Sequence, residues 1–165
     1  MSQLLVGIKA PDFELSGVNG QSYRLARALD ESPVVLAFYK SACPVSQFTL
    51  PYLQRIYAHA AKHIGLQIWG VSQDDEFETR AFAERHAIGF DLIIDEYPYS
   101  VSTAYGLEFV PGIFIVEPGG VISLSYSGFH KSALNEISIL AGRSSGRSPL
   151  QLFERGDGIP DIRPG

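Results

Sequence analysis

The only cysteine of the chain, Cys43, lies in the stretch YKSACPVSQF, with Pro44 directly after it and Ser46 three positions on. A thiolate is the nucleophile of disulfide exchange and of peroxide reduction, so the surroundings of Cys43 decide whether it reacts. The apolar run SPVVLAFYK precedes it, and a helical pattern starts at Pro44, a residue favoured at the first helical position. Cys43 is therefore expected at a helix N-terminus, where free amide N–H groups and the helix dipole favour an anion. There the Ser46 hydroxyl is expected to donate a hydrogen bond to the sulfur, and Lys40 to add positive potential. An inert thiol filling core space is the plainer alternative. Position favours the reactive reading, because α/β proteins place their sites where buried strands end and helices begin. A single cysteine excludes an internal disulfide and a structural zinc site built on several thiolates.

The second informative stretch is EFVPGIFIV. Pro111 precedes a strand core, where proline is tolerated only at the strand's start. The sharper expectation is a cis proline that leaves the Val110 backbone open to pair with an incoming polypeptide. Other candidates have plainer explanations. His59 and His63 are spaced for a metal on one helix face, but no third ligand accompanies them, so a solvated face is expected and no metal site. Asp74 to Glu76 read as a helix cap and first-turn charge, EPGG as a hairpin turn, and Trp69 as packing.

The elements that must position Cys43 follow from periodicity. DFELSGVNGQSYRL alternates around an Asn19-Gly20 turn, a hairpin signal. SPVVLAFYK, LQIWGVSQ and FDLIID read as strands buried on both faces. Between them, a helix is expected from Pro44 to about Ile64, with Phe48, Tyr52, Ile56 and Ala60 on one side, a kink at Pro51 and a stop at Gly65. A second helix is expected over DDEFETRAFAERHAIG, with Phe77, Ala81 and Ile88 inward and an end at Gly89. YSVSTAYGL suggests one or two helical turns. Ile113 to Glu117 and Val121 to Ser125 suggest a hairpin, and HKSALNEISILAG a last helix with Ala133, Ile137 and Leu140 on one face. The order predicts an α/β layer fold with a mixed sheet. One domain is expected over residues 1–142. A Gly-, Pro-, Ser- and Arg-rich tail is expected over 143–165, with Leu150, Leu152 and Phe153 pinning it to the body.

Composition limits the partners. With 45% hydrophobic and 19% charged residues, the 165-residue chain can bury a core. A net charge of −5 without a Lys/Arg cluster gives no footprint for nucleic acid. MSQLLVGIKAPDFEL lacks a basic leader and no stretch approaches a membrane span, so a cytoplasmic protein is expected.

Together these stretches resemble the thioredoxin-like superfamily in its redoxin branch, the alkyl hydroperoxide reductase/thiol-specific antioxidant (AhpC/TSA) proteins and the related thiol:disulfide reductases. GIKAPDFELSGVNGQSYRL is similar to that branch's opening strands, and VVLAFYKSACPVSQFTLPYLQRIY to its active-site strand, cysteine and kinked helix. IWGVSQDD, FDLIIDE and AYGLEFVPGIFIVEPGGVI follow in the family's order, and the resemblance spans Gly7 to Gly142. It implies a thioredoxin-like fold, a central mixed sheet flanked by helices with an N-terminal hairpin. It also implies a site of Cys43, Pro44, Ser46 and Pro111, with Val110, Lys40 and Ala42 at the substrate. The chain departs from the pattern in two ways. Ser46 stands where reductases carry the second cysteine of Cys-x-x-Cys, and Ala42 replaces the aromatic residue before the first. Lys40, Leu36 and Pro111 stand where peroxiredoxins carry Thr or Ser, Pro and Arg.

Three readings follow. In the first, Cys43 is the nucleophile of a thiol-disulfide oxidoreductase, acting on protein or low-molecular-weight disulfides without a cofactor, and an external thiol resolves its mixed disulfide. The second is a one-cysteine peroxidase with antioxidant activity through a sulfenic acid at Cys43. The third is a non-catalytic redoxin-fold module that senses or binds.

Overall fold

In a computed structural model, which describes residues 2–60 and 66–165, a five-stranded sheet carries the molecule. Its strands are β3 (Val34–Tyr39), β4 (Gln67–Ser72), β5 (Asp91–Ile94), β6 (Gly112–Val116) and β7 (Ile122–Ser127), in the spatial order β5-β4-β3-β6-β7. A separate hairpin, β1 (Glu14–Ser16) and β2 (Ser22–Arg24), precedes it, with Leu15 opposite Tyr23. Strand β3 runs parallel to β4, and β4 to β5, whereas β6 lies antiparallel to β3 and β7 antiparallel to β6. This is the mixed sheet that the element order predicts.

Both faces of the sheet are covered, which explains the unbroken apolar runs. Alternate residues of β3 feed two cores, because strand side chains point to opposite faces in turn. Val35, Ala37 and Tyr39 meet α2 (Pro44–Ala60), α3 (Glu76–His86) and α5 (Lys131–Ser145) through Leu50, Leu53, Ile56, Phe82, Leu134 and Ile137. Val34, Leu36 and Phe38 meet α1 (Leu25–Leu29) and α4 (Ser100–Ala104) through Leu25, Val101, Tyr105 and the Phe13 and Trp69 rings. The β3–α2–β4 and β4–α3–β5 crossovers put α2 and α3 on one face. Each fully buried Leu, Ile or Phe contributes about 1.5–3 kcal/mol, so the two layers lock β3 in place. Cys43 follows β3 after the three residues Lys40, Ser41 and Ala42.

Several expectations need correction. Phe77 is 76% exposed, and the inward stripe of α3 is Thr79 and Phe82. Phe82 packs against the sheet, and Phe77, five residues earlier and so on another side of the helix, faces solvent. The helix ends at His86, with Ala87 in the left-handed region (φ 51°), and not at Gly89. Helix α2 passes through Pro51 and is described to Ala60; Ile64, Gly65 and His63 lie outside the described residues. Helix α5 continues three residues past Gly142, so the irregular segment starts at Gly146 and not at Arg143. That segment packs Leu152 into the core beside half-buried Leu150 and Phe153, then forms β9 (Ile162–Arg163) against β8 (Phe129–His130). The short helix α1 has no counterpart among the expected elements.

Candidate active site

The site lies where β3 ends and α2 begins. A tight turn over Ser41 and Ala42 links them, closed by the Cys43 N–H donating to the Lys40 carbonyl at 3.0 Å. Side chains from outside the turn hold it. The Asp74 carboxylate accepts the Ser41 N–H at 2.7 Å, and the Gln47 amide donates to the Ser41 carbonyl at 2.8 Å. Helix α2 starts with the Gln47 N–H donating to the Cys43 carbonyl at 3.0 Å, which makes Cys43 the capping residue.

The sulfur takes the place of a capping side-chain oxygen. Its Sγ accepts the Ser46 backbone N–H at 3.5 Å and donates to the Val110 carbonyl oxygen at 3.3 Å. The first turn of α2 contains no acidic residue, so the positive end of the helix faces the sulfur alone. The sulfur thus sits between one backbone donor and one backbone acceptor. Cys43 is half-buried, between exposed Ala42 and exposed Pro44. The Val110–Pro111 peptide is cis, with Val110 half-buried and Pro111 buried, and the Pro111 carbonyl accepts the Gly128 N–H at 2.7 Å.

The structure thus brings Cys43, Pro44, Ser46, Val110 and Pro111 together. Two of the expected roles differ. The Ser46 side chain is fully buried and its hydroxyl has no hydrogen-bond partner among the described residues; the backbone amide of Ser46, not its hydroxyl, meets the sulfur. The hydroxyl therefore makes no hydrogen bond to the thiol. Lys40 is exposed at the end of β3, and it meets the site through its carbonyl, which accepts the Cys43 N–H. Burial raises the Tyr39 hydroxyl well above its usual range, with the nearby Asp74 charge acting in the same direction, so this phenol stays protonated beneath the turn.

The sequence suggests only helix capping and first-turn charge for Asp74, and nothing for Gln47. The β3/β4 register pairs Tyr39 with Ser72, so two residues further on Ser41 falls opposite Asp74. His59 also acquires a different role, its Nε2 lying 3.0 Å from the Ser148 carbonyl oxygen. No group of three His, Cys, Asp or Glu suited to a metal ion occurs among the described residues. No helix among them is long and apolar enough to cross a membrane.

The model of the AhpC/TSA family matches residues 6–125. The thiol-disulfide oxidoreductase ResA of Geobacillus thermodenitrificans is 30% identical over 124 residues, 74% of this chain and 70% of the relative. ResA of Halalkalibacterium halodurans is 28% identical over 133 residues, 79% of this chain and 74% of the relative. Among solved structures, a thiol:disulfide interchange protein from Bacteroides sp. superposes with a TM-score of 0.72 at 22% identity, covering 87% of this chain and 95% of that one. The thioredoxin domain of a Bacteroides vulgatus thiol-disulfide oxidoreductase gives 0.68 at 23% identity, over 76% and 91%. These two neighbours establish the thioredoxin-like fold. The chain belongs to the AhpC/TSA family and, within it, to the redoxin-type thiol-disulfide oxidoreductases similar to ResA.

Proposed function

We propose that this chain carries out thiol-disulfide exchange through Cys43 alone, on protein or low-molecular-weight disulfides. The observation that carries this reading is the sulfur of a half-buried cysteine capping α2, 3.5 Å from the Ser46 amide, while the neighbouring position that would hold a second thiol is a buried serine. Cys43 gives up its proton and its sulfur attacks one sulfur of the substrate disulfide. The S–S bond breaks, the other half leaves with the electron pair and takes up a proton, and a mixed disulfide remains at Cys43. An external thiol attacks the Cys43 sulfur and releases the bound half as a thiol. A second external thiol attacks the adduct that replaced it, which frees Cys43 and yields the oxidised dimer of the external thiol. The balance is one substrate disulfide reduced for two external thiols oxidised.

The Val110 backbone and exposed Phe109 form the edge that an incoming polypeptide would meet. The peroxidase alternative draws less support. Exposed Lys40 and buried Pro111 stand where the resemblance puts the groups that hold and polarise a peroxide in peroxiredoxins.

Ser46→Cys tests the reading. A sulfur suits this apolar, unpartnered position better than a hydroxyl, whose unmet hydrogen bond costs about 1–3 kcal/mol. The variant is expected to form an internal disulfide with Cys43 and to turn over in insulin reduction with a dithiol reductant. The native chain is expected to accumulate as a mixed disulfide until a monothiol is added, as read by intact mass. If Cys43 remains unmodified in both forms, the exchange reading is wrong.

A further inference from the structure

The last five residues of the chain lie against the edge that the proposed exchange reaction needs. Strand β9 pairs antiparallel with β8, Arg163 opposite Phe129 and Ile162 opposite His130. Beyond it, Gly165 packs so closely on the Val110 carbonyl that a Cβ at this position would collide with it, and the same Cβ would lie 3.4 Å from the Phe109 Cβ. This is the carbonyl that accepts from the Cys43 thiol. A Cβ on Gly128 would likewise strike the Arg163 carbonyl and lie 3.0 Å from the Gly165 N and 3.2 Å from the Pro164 Cα. The Arg163 guanidinium stands 4.6 Å from the centroid of Phe48, just over one helical turn beyond Cys43 on α2. Backbone pairing, close glycine contacts and a cation on a ring thus place an extended segment beside the nucleophile.

The way the segment is held suits displacement. All five residues, Asp161 to Gly165, are exposed. Beyond the ring contact of Arg163 and the glycine contacts, they are held by a two-residue strand pair, the Lys131 N–H donating to the Asp161 carbonyl at 3.0 Å, and the Lys131 ammonium 3.8 Å from the Asp161 carboxylate. Such elements open at low free energy. The anchor is upstream. Leu152 is buried, the Phe153 ring meets Tyr52 and Phe129, and Asp157 pairs with Lys131 at 3.1 Å. An anchored segment returns to its site at high effective concentration after each opening.

We infer that residues 161–165 are a tethered occupant of the polypeptide-docking edge, which small disulfides pass and which an extended polypeptide carrying a disulfide must displace. The inference rests on the exchange reading above and adds a substrate distinction to it. The apparent rate with a polypeptide is scaled down to the fraction of molecules in which the edge is open, whereas a small disulfide needs only access to Cys43, which is half-buried between two exposed residues.

Two probes with the same leaving group test it: dipyridyl disulfide, and an unstructured cysteine peptide activated as its 2-thiopyridyl disulfide. With either, the Cys43 sulfur forms a new S–S bond and 2-thiopyridone leaves with the electron pair and the released proton. Deletion of residues 161–165 should raise the peptide rate about tenfold or more and leave the dipyridyl rate within about twofold. Gly165→Val keeps β9 and the Lys131 contacts but clashes with Val110, and it should give the same selectivity at smaller size. It also guards against a truncation that merely loosens the fold. An equal rise with both probes, or none with the peptide, would overturn the inference while leaving the exchange reading intact. No reaction of Cys43 with either probe, in any form, would remove the exchange reading and the inference with it.

Discussion

Two strand-to-helix turns lie side by side at the same end of the sheet, and they solve one physical problem differently. Both β3–α2 and β4–α3 must satisfy the free amides at a helix start. In α3 the Asp75 side chain accepts the Glu78 N–H at 2.8 Å, and Glu76 and Glu78 set further negative charge against the dipole. In α2 the cap is the Cys43 sulfur, which accepts the Ser46 N–H at 3.5 Å, and the first turn bears no acid. The α3 end is held by a carboxylate oxygen at a short hydrogen-bond distance. The α2 end keeps its positive pole for a group that can become an anion and then react. The two turns are also coupled, since Asp74, one residue before the α3 cap, fixes the Ser41 N–H of the reactive turn.

The comparison breaks most clearly when the caps are removed in turn. Cys43→Ser should abolish mixed-disulfide formation completely, with stability changed by less than about 1 kcal/mol, because serine is itself a good cap. Asp75→Ala should do the reverse, costing about 0.5–2 kcal/mol in urea unfolding while Cys43 still reacts. Equal losses of stability in both variants would show that the sulfur is a structural cap like Asp75.

A smaller effect is expected from Pro44→Glu, which gives α2 the acidic first turn that α3 has. The carboxylate competes for the dipole and repels a thiolate, so the reaction of Cys43 with a neutral disulfide at pH 7 should slow by about two- to fivefold, equivalent to about 0.3–1 kcal/mol. An unchanged rate at low salt would mean that the helix end does not act on the sulfur.

The smallest effect lies at the other end of α3. Burial lowers the pKa of His86 below its usual range, with Arg85 acting in the same direction, and the ring lies tilted against Phe82 with centroids 4.4 Å apart. A histidine whose folded-state pKa is depressed binds fewer protons folded than unfolded. Its contribution is therefore fully present above the ordinary value near 6.5 and is lost as pH falls through that range. Acidification from pH 7 to 5 should lower the urea midpoint, and His86→Phe should reduce that slope without altering Cys43 reactivity. An unchanged slope would assign the acid sensitivity elsewhere.

Much of the fold was legible because its signals are local. The unbroken apolar run of β3 betrays a strand with two covered faces, and Asn19-Gly20 and Pro118-Gly119-Gly120 mark their turns. The order of strands and helices then limits the sheet to few arrangements. The same holds for Cys43 and Pro44, whose helix-start position depends only on their neighbours in the chain. Side-chain direction was not legible: the inward stripe of α3 depends on how the helix is rotated on the sheet, so Phe77 faces solvent although its spacing suggested burial. Ser46 shows the same limit, since three positions from a thiol on a helix specifies nearness and not which way a hydroxyl turns. Contacts between distant segments belong to the tertiary structure alone. Asp74 reaches Ser41 through the parallel register of β3 and β4, the Val110 carbonyl reaches Cys43 across 67 positions of sequence, and Gly165 reaches Val110 because β9 pairs with β8. Local propensity acts over a few residues, whereas these contacts exist only once the burial of two apolar faces has drawn the strands together.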